Sequence, residues 1–241
     1  MVTLRSMTRV TTDRATADRG RRPRRIPGWL ELVILLAIAL ALSVVVKTFF
    51  VQMFFVPSES MEPLFVRDDR ILVQKVSYWT GDVRRGDVVV FEDRDGWLTS
   101  KPVLSPIQQV LSTVGLYPTG GHLVKRVIGV GGDRVECCDI DGRVTVNDVP
   151  LDEGSYVAPG ASPSQQPFAL TVPKGRLWVM GDNRANSEDS RFHMDLPGDG
   201  TIDADSVVGK VWLIVWPPGR WDRVTRPATF DRPALAAAAG S

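Results

Sequence analysis

Hydrophobic residues follow two regimes along this chain. From Trp29 to Val56 they run almost without interruption, and beyond Pro57 they alternate with polar residues in short bursts set apart by Gly, Pro, Asp and Asn. In the first regime Leu32 to Val46 carries no charge, and Lys47, Thr48 and Gln52 break only the later part. At 1.5 Å per residue, about 20 apolar residues cross a bilayer core. The pattern therefore predicts a transmembrane helix over 29–56, with Lys47 reaching the far interface by its aliphatic stem. A cleavable secretory signal is the competing reading. No small-x-small site follows the run, which favours an uncleaved anchor.

The second regime has the period of strands. Asp69–Lys75, Gly86–Phe91, His122–Val130, Gly175–Met180 and Val207–Trp216 each read as a strand, bounded by turn residues. Arg134–Cys138 and Arg143–Asn147 read as a hairpin across Asp141-Gly142, a strong turn dipeptide. Residues 97–121 and 139–170 are the irregular, variable stretches. Within the first, Ile107 to Val114 has room for two helical turns. After Pro217-Pro218-Gly219 the chain is polar and then Ala-rich, and residues 220–241 are expected to be a mobile tail. The predicted fold class is mostly β: one N-terminal membrane helix, then an antiparallel, barrel-like β ectodomain over 57–219.

Composition narrows the partners. The 241 residues carry a net charge of +1, so no global field points to nucleic acid. Eight arginines nevertheless precede Trp29, opposed by Asp13 and Asp18 alone. Residues 1–28 thus read as a disordered Arg-rich tail. Its place before the apolar run puts the N-terminus in the cytoplasm and the ectodomain outside. The two cysteines, Cys137 and Cys138, are adjacent. That pattern excludes a disulfide framework and a four-cysteine zinc site, and leaves both reduced thiols and a vicinal bridge open.

The chemistry begins at Pro57-Ser58-Glu59-Ser60-Met61-Glu62-Pro63. Each proline fixes its own φ and keeps the preceding residue out of helical geometry. Two serines therefore sit on a short, stiff segment just past the apolar run. A serine becomes a nucleophile only with a base in reach. His122 and His193 are the two histidines, and neither has a sequence context that assigns it to Ser58 or Ser60. Lysine is the alternative. Its pKa, near 10.4 when free, falls by several units on burial in apolar surroundings. Lys125 lies among Leu123, Val124, Val127 and Ile128, and strand alternation puts Leu123, Lys125 and Val127 on one face. Alone, a lysine on a strand is ordinary edge decoration.

Three segments in order change that weighing. Pro57-Ser58-Glu59-Ser60-Met61-Glu62-Pro63, then Lys125-Arg126-Val127-Ile128-Gly129 with Gly132-Asp133, then Gly181-Asp182-Asn183-Arg184-Ala185-Asn186-Ser187-Glu188-Asp189-Ser190-Arg191 resemble the characteristic boxes of type I signal peptidases. These are membrane-anchored bacterial serine endopeptidases with a Ser-Lys dyad, and the resemblance covers roughly residues 29–216. It implies Ser60 as nucleophile, Lys125 as general base, and an oxyanion hole from the Ser58 hydroxyl and the Ser60 N–H. It implies that Ser187 orients Lys125, that Asp189 and Arg191 form a supporting ion pair, and that Met61 gives apolar surface beside the substrate groove. For Gly181, Asp182 and Asn183 a tight turn suffices.

The resemblance further implies a plasma-membrane protein whose partners are preprotein signal peptides, the lipid bilayer and the protein-export machinery, with no cofactor, no metal and no nucleic acid. Ala185, Gly131 and Leu64 depart from the family's usual residues without touching the dyad. A related peptidase dedicated to one substrate is a second reading. A membrane-anchored, non-catalytic β module that binds signal peptides or envelope partners is a third, from another class.

Overall fold

The computed structural model describes residues 27–78, 81–98, 105 and 121–237, the side chains of 45–49, 77, 236 and 237 apart. The Arg-rich tail up to residue 26 and most of the 97–121 stretch, with its two expected helical turns, lie outside them.

Two compact units divide at Leu40. Helix α1 runs over Gly28–Phe49, begins after Pro27 and carries Glu31 in its first turn, where a negative charge suits the helix dipole. Leu32, Leu35, Leu36, Ile38, Leu40 and Leu42 are all exposed on it. Among the described residues no helix is long and apolar enough to cross a membrane. Side chains of α1 are described only as far as Val44.

The apolar run does not continue as helix to Val56. It changes state at Phe50, and β1 spans Val51–Phe55, paired antiparallel with β2, Arg70–Gln74. Aromatic and β-branched residues at 49–56 satisfy a strand as well as a helix, and the hydrogen-bonding edge offered by β2 decides between them.

The strands expected from alternation are present. β3 spans Val88–Glu92, β4 His122–Val130, β9 Arg176–Met180 and β11 Val207–Trp216. Together with β10, Ile202–Asp203, and β12, Asp222–Arg223, they form an antiparallel sheet in the order β1-β2-β11-β3-β4-β9-β10, with β12 on β11. The pairing path is open, with β1 and β10 at its ends. The hairpin across Asp141-Gly142 forms as well. β5, Arg134–Cys137, pairs with β6, Val144–Val146, in a second sheet that also holds β7, Val149–Pro150, and β8, Phe168–Thr171. Cys137 and Cys138, left open above, are joined by a disulfide.

The segment 221–237, expected above as part of a mobile tail, is packed onto the domain. Phe230 and Leu235 are buried in the core with Leu151, Tyr156 and Trp178. Gly86, at φ +83°, lies so close to Arg226 and Phe230 that a Cβ there would collide with both. Two isolated apolar residues make no periodic signal in an Ala- and Pro-rich sequence, and only the folded sheet supplies the cavity they fill.

Candidate active site

The Ser60 segment is anchored from below. Met61 is buried with Val56, Phe65, Ile71 and Val73. It therefore serves as the plug that fixes the turn, not as apolar surface in a groove, and the cleft beside Ser60 is walled by other residues. From the side, the turn at Asn183 holds the same segment. Asn183 N–H donates to the Ser60 carbonyl at 3.1 Å, and its amide nitrogen donates to the Glu59 carbonyl at 3.1 Å. The Ser60 side chain is left at the floor of a cleft of about 320 Å³ lined by Ser58, Leu123, Lys125, Arg67 and Glu188.

Lys125 enters from the middle of β4, where its partner across the sheet on β3 is the buried Val89. It is 3% exposed, and its Nζ donates to Ser60 Oγ at 2.7 Å. Burial pulls its pKa down to about 8. The Asp189 carboxylate opposes that shift, Arg191 adds to it, and Asp182 and Glu188 weakly oppose it. The second contact of Ser60 Oγ is Ser58 Oγ at 3.2 Å. The two serines and the lysine are thus brought together from positions 65 residues apart.

Neither histidine occupies this place. His193 Nδ1 lies 2.8 Å from the Asp189 carbonyl, and its ring stacks on Trp97. His122 starts β4 opposite Glu92, with its ring against Phe54.

The segment 181–191 forms the back wall. Asp189 and Arg191 are fully buried and joined by two hydrogen bonds of 2.8 Å. Burial alone would raise the Asp189 pKa, but Arg191 and the Gly181 N–H, which donates to it at 2.9 Å, hold it low. Ser187 is buried, and its hydroxyl makes no hydrogen bond. It packs against Gly181, where a Cβ would collide with both the Ser187 hydroxyl and the Ser60 carbonyl. Only glycine at 181 lets this wall approach the Ser60 segment so closely.

Sequence reasoning missed several supports. Asp182, read there as a turn residue, forms a buried two-bond pair with Arg126 at 2.6 and 2.8 Å. Arg184 pairs with Glu153 at 2.5 and 2.8 Å. Gln165 accepts from Arg191 at 2.8 Å and donates to the Arg184 carbonyl at 2.6 Å. Glu153 and Gln165 come from loops whose Ser- and Pro-rich sequence gives no sign of such contacts. The buried arginines were the available signal, since a buried guanidinium demands partners. Among the described residues no group of three or more His, Cys, Asp or Glu side chains is arranged to hold a metal.

A hydroxyl hydrogen-bonded to a buried amine of lowered pKa, in an open cleft, is suited to acyl transfer. Comparison with known proteins points the same way. Residues 29–216 match the profile of a family described as signal peptidase, peptidase S26. A protein of Mycobacterium leprae (strain TN) named probable signal peptidase I is 38% identical over 236 residues, covering 84% of this chain and 81% of its own. Signal peptidase I of Mycobacterium tuberculosis (strain CDC 1551 / Oshkosh) is 41% identical over 227 residues, covering 83% and 76%. Signal peptidase I of Leptolyngbya laminosa is 29% identical over 209 residues, covering 87% and 90%.

Proposed function

The chain belongs to the signal peptidase family, peptidase S26, and on that footing we propose that it removes signal peptides from exported preproteins with Ser60 as nucleophile and Lys125 as general base. The observation that carries this reading is the 2.7 Å bond between Lys125 Nζ and Ser60 Oγ at a buried lysine. With a pKa of about 8, roughly a tenth of Lys125 is neutral at pH 7, against well under a thousandth for a free lysine.

In the proposed reaction the neutral amine takes the Ser60 proton as Oγ attacks the scissile carbonyl. Negative charge gathers on the carbonyl oxygen, where the Ser58 hydroxyl and the Ser60 N–H donate to it. The ammonium then returns its proton to the leaving amine, the C–N bond breaks, and Ser60 carries the signal peptide as an ester. Water, deprotonated by Lys125, cleaves the ester and restores the serine. Ser187 is the proposed orienting partner of Lys125, because its buried hydroxyl has no other partner and leaving it unpaired is costly. Asp189 and Arg191 hold the wall behind them.

Helix α1 is proposed as a single-pass plasma-membrane anchor with a cytoplasmic N-terminus, which places the peptidase domain outside and beside the export machinery. Its exposed leucines support this. So does an exposed face of the sheet that combines aromatic and cationic groups, where Phe55, Arg70 and Trp216 stand in register across β1, β2 and β11, with Met53 exposed nearby. Such a patch suits a lipid surface.

The test is incubation of the purified full chain with a preprotein in detergent micelles, with mass measurement of the products. Wild type should release a product with a single new N-terminus, and Ser60→Ala should release none. A wild type that binds preproteins without cutting any of them would instead establish the non-catalytic binding module.

A further inference from the structure

Four charged side chains line the cleft: Glu59, Arg67, Lys125 and Glu188. Two of them cancel. Glu59 accepts from Arg67 at 3.1 Å and, through its other oxygen, from the Asn186 amide at 3.3 Å. Lys125 is uncharged in the form that takes the serine proton. The charges behind it are also matched, Asp189 by Arg191 and Asp182 by Arg126.

Glu188 remains. Ser187 and Asp189 on either side of it are buried and have extended backbones, so alternation turns Glu188 outward onto the cleft wall. It is exposed, and among the described residues no cation forms a direct ion pair with its carboxylate; Lys125, on the same cleft, acts on it only through space and only while protonated. In the reactive form, with Lys125 neutral, a substrate whose scissile bond reaches Ser60 must therefore thread past the one cleft charge that no direct ion pair offsets.

We propose that Glu188 is a specificity-determining residue that favours substrates with a cationic side chain flanking the scissile bond and disfavours those with an anionic one. The inference rests on the peptidase reading given above. Specificity here is a difference of two interactions, an attraction and a repulsion. An exposed charge pair changes affinity by about 1.4- to 5-fold, so a lysine-to-glutamate exchange in the substrate is worth roughly tenfold at low salt.

The test uses the full-length protein in detergent and one preprotein carrying Lys, Ala or Glu, in turn, at each position flanking the cleavage site. The readout is kcat/KM. At one position or more the order should be Lys over Ala over Glu, spanning roughly tenfold. The span should collapse towards unity at about 1 M salt, where the Debye length is about 3 Å. It should collapse likewise in Glu188→Gln, and the order should reverse in Glu188→Lys. Equal cleavage of all three series by wild type, or an order that survives in Glu188→Gln, overturns the inference while leaving the peptidase reading intact. Failure to cleave any of them overturns the peptidase reading and this inference with it.

Discussion

Lys125 is maintained at a cost to the fold. Its folded-state pKa of about 8 lies below the ordinary value of 10.5, and burial is the main cause. Between those two values the unfolded chain binds more protons than the folded one, so stability rises with pH across that window. Below pH 8 the full cost is carried, roughly 3 kcal/mol for a shift of this size. Lys125→Met is therefore expected to be more stable than wild type at pH 7, by about 2–3 kcal/mol, and the gain should shrink as pH climbs from 8 towards 10.5. Urea unfolding at several pH values measures it. On the proposed mechanism the same titration governs turnover: kcat/KM should rise with pH and level off above about 8, as Lys125 loses its proton.

At this scale the motif spacing singled out Ser60 and Lys125 as a pair, and the fold brings their side chains within 2.7 Å of each other. The sequence was a poor guide to Met61 and Asp182, whose roles depend on what lies beneath them. Ser187 was singled out by the third segment, but that its hydroxyl is buried without a hydrogen bond is set by a tertiary approach that no local pattern encodes.

Among elements, the wall formed by 181–191 meets the Ser60 segment directly, through the Asn183 hydrogen bonds and the close approach at Gly181. Gly181→Ala is expected to lose at least 100-fold in activity, comparable to removing an oxyanion donor, and about 1–3 kcal/mol of stability through overpacking. The added methyl has only the Ser187 hydroxyl and the Ser60 carbonyl to displace. Preprotein cleavage and thermal unfolding of the same variant read the two losses separately. Strands β3, β4, β9 and β11 were legible because alternation is a strong signal over five to ten residues. Strand β1 was not, because it sits at the end of an apolar run that looks the same to either period. The two-residue strands β10 and β12 are too short to carry any period.

For the whole molecule, the C-terminal segment is structural. Phe230→Ala should cost about 3–5 kcal/mol, as for other large core aromatics, whereas a mobile tail would make the change neutral. A chemical denaturation midpoint decides between the two. The segment closes the core beneath Tyr156 and Trp178, and Tyr156 in turn packs under Arg126 and Arg184, which brace the 181–191 wall. Loosening the C-terminus should therefore weaken the site from a distance. That a mostly β, antiparallel domain follows an apolar helix was evident from the change of regime at Pro57. The pairing order was not, because partners such as β2 and β11 are brought together from opposite ends of the domain.

The central claim is that Lys125 activates Ser60. Single-turnover cleavage of a preprotein by wild type and Lys125→Met, at pH 8 to 9 and with folding checked in parallel, tests it most directly. A loss of about a thousandfold or more in the acylation rate, with preprotein binding retained, is the predicted result. Undiminished acylation by the methionine variant would contradict it.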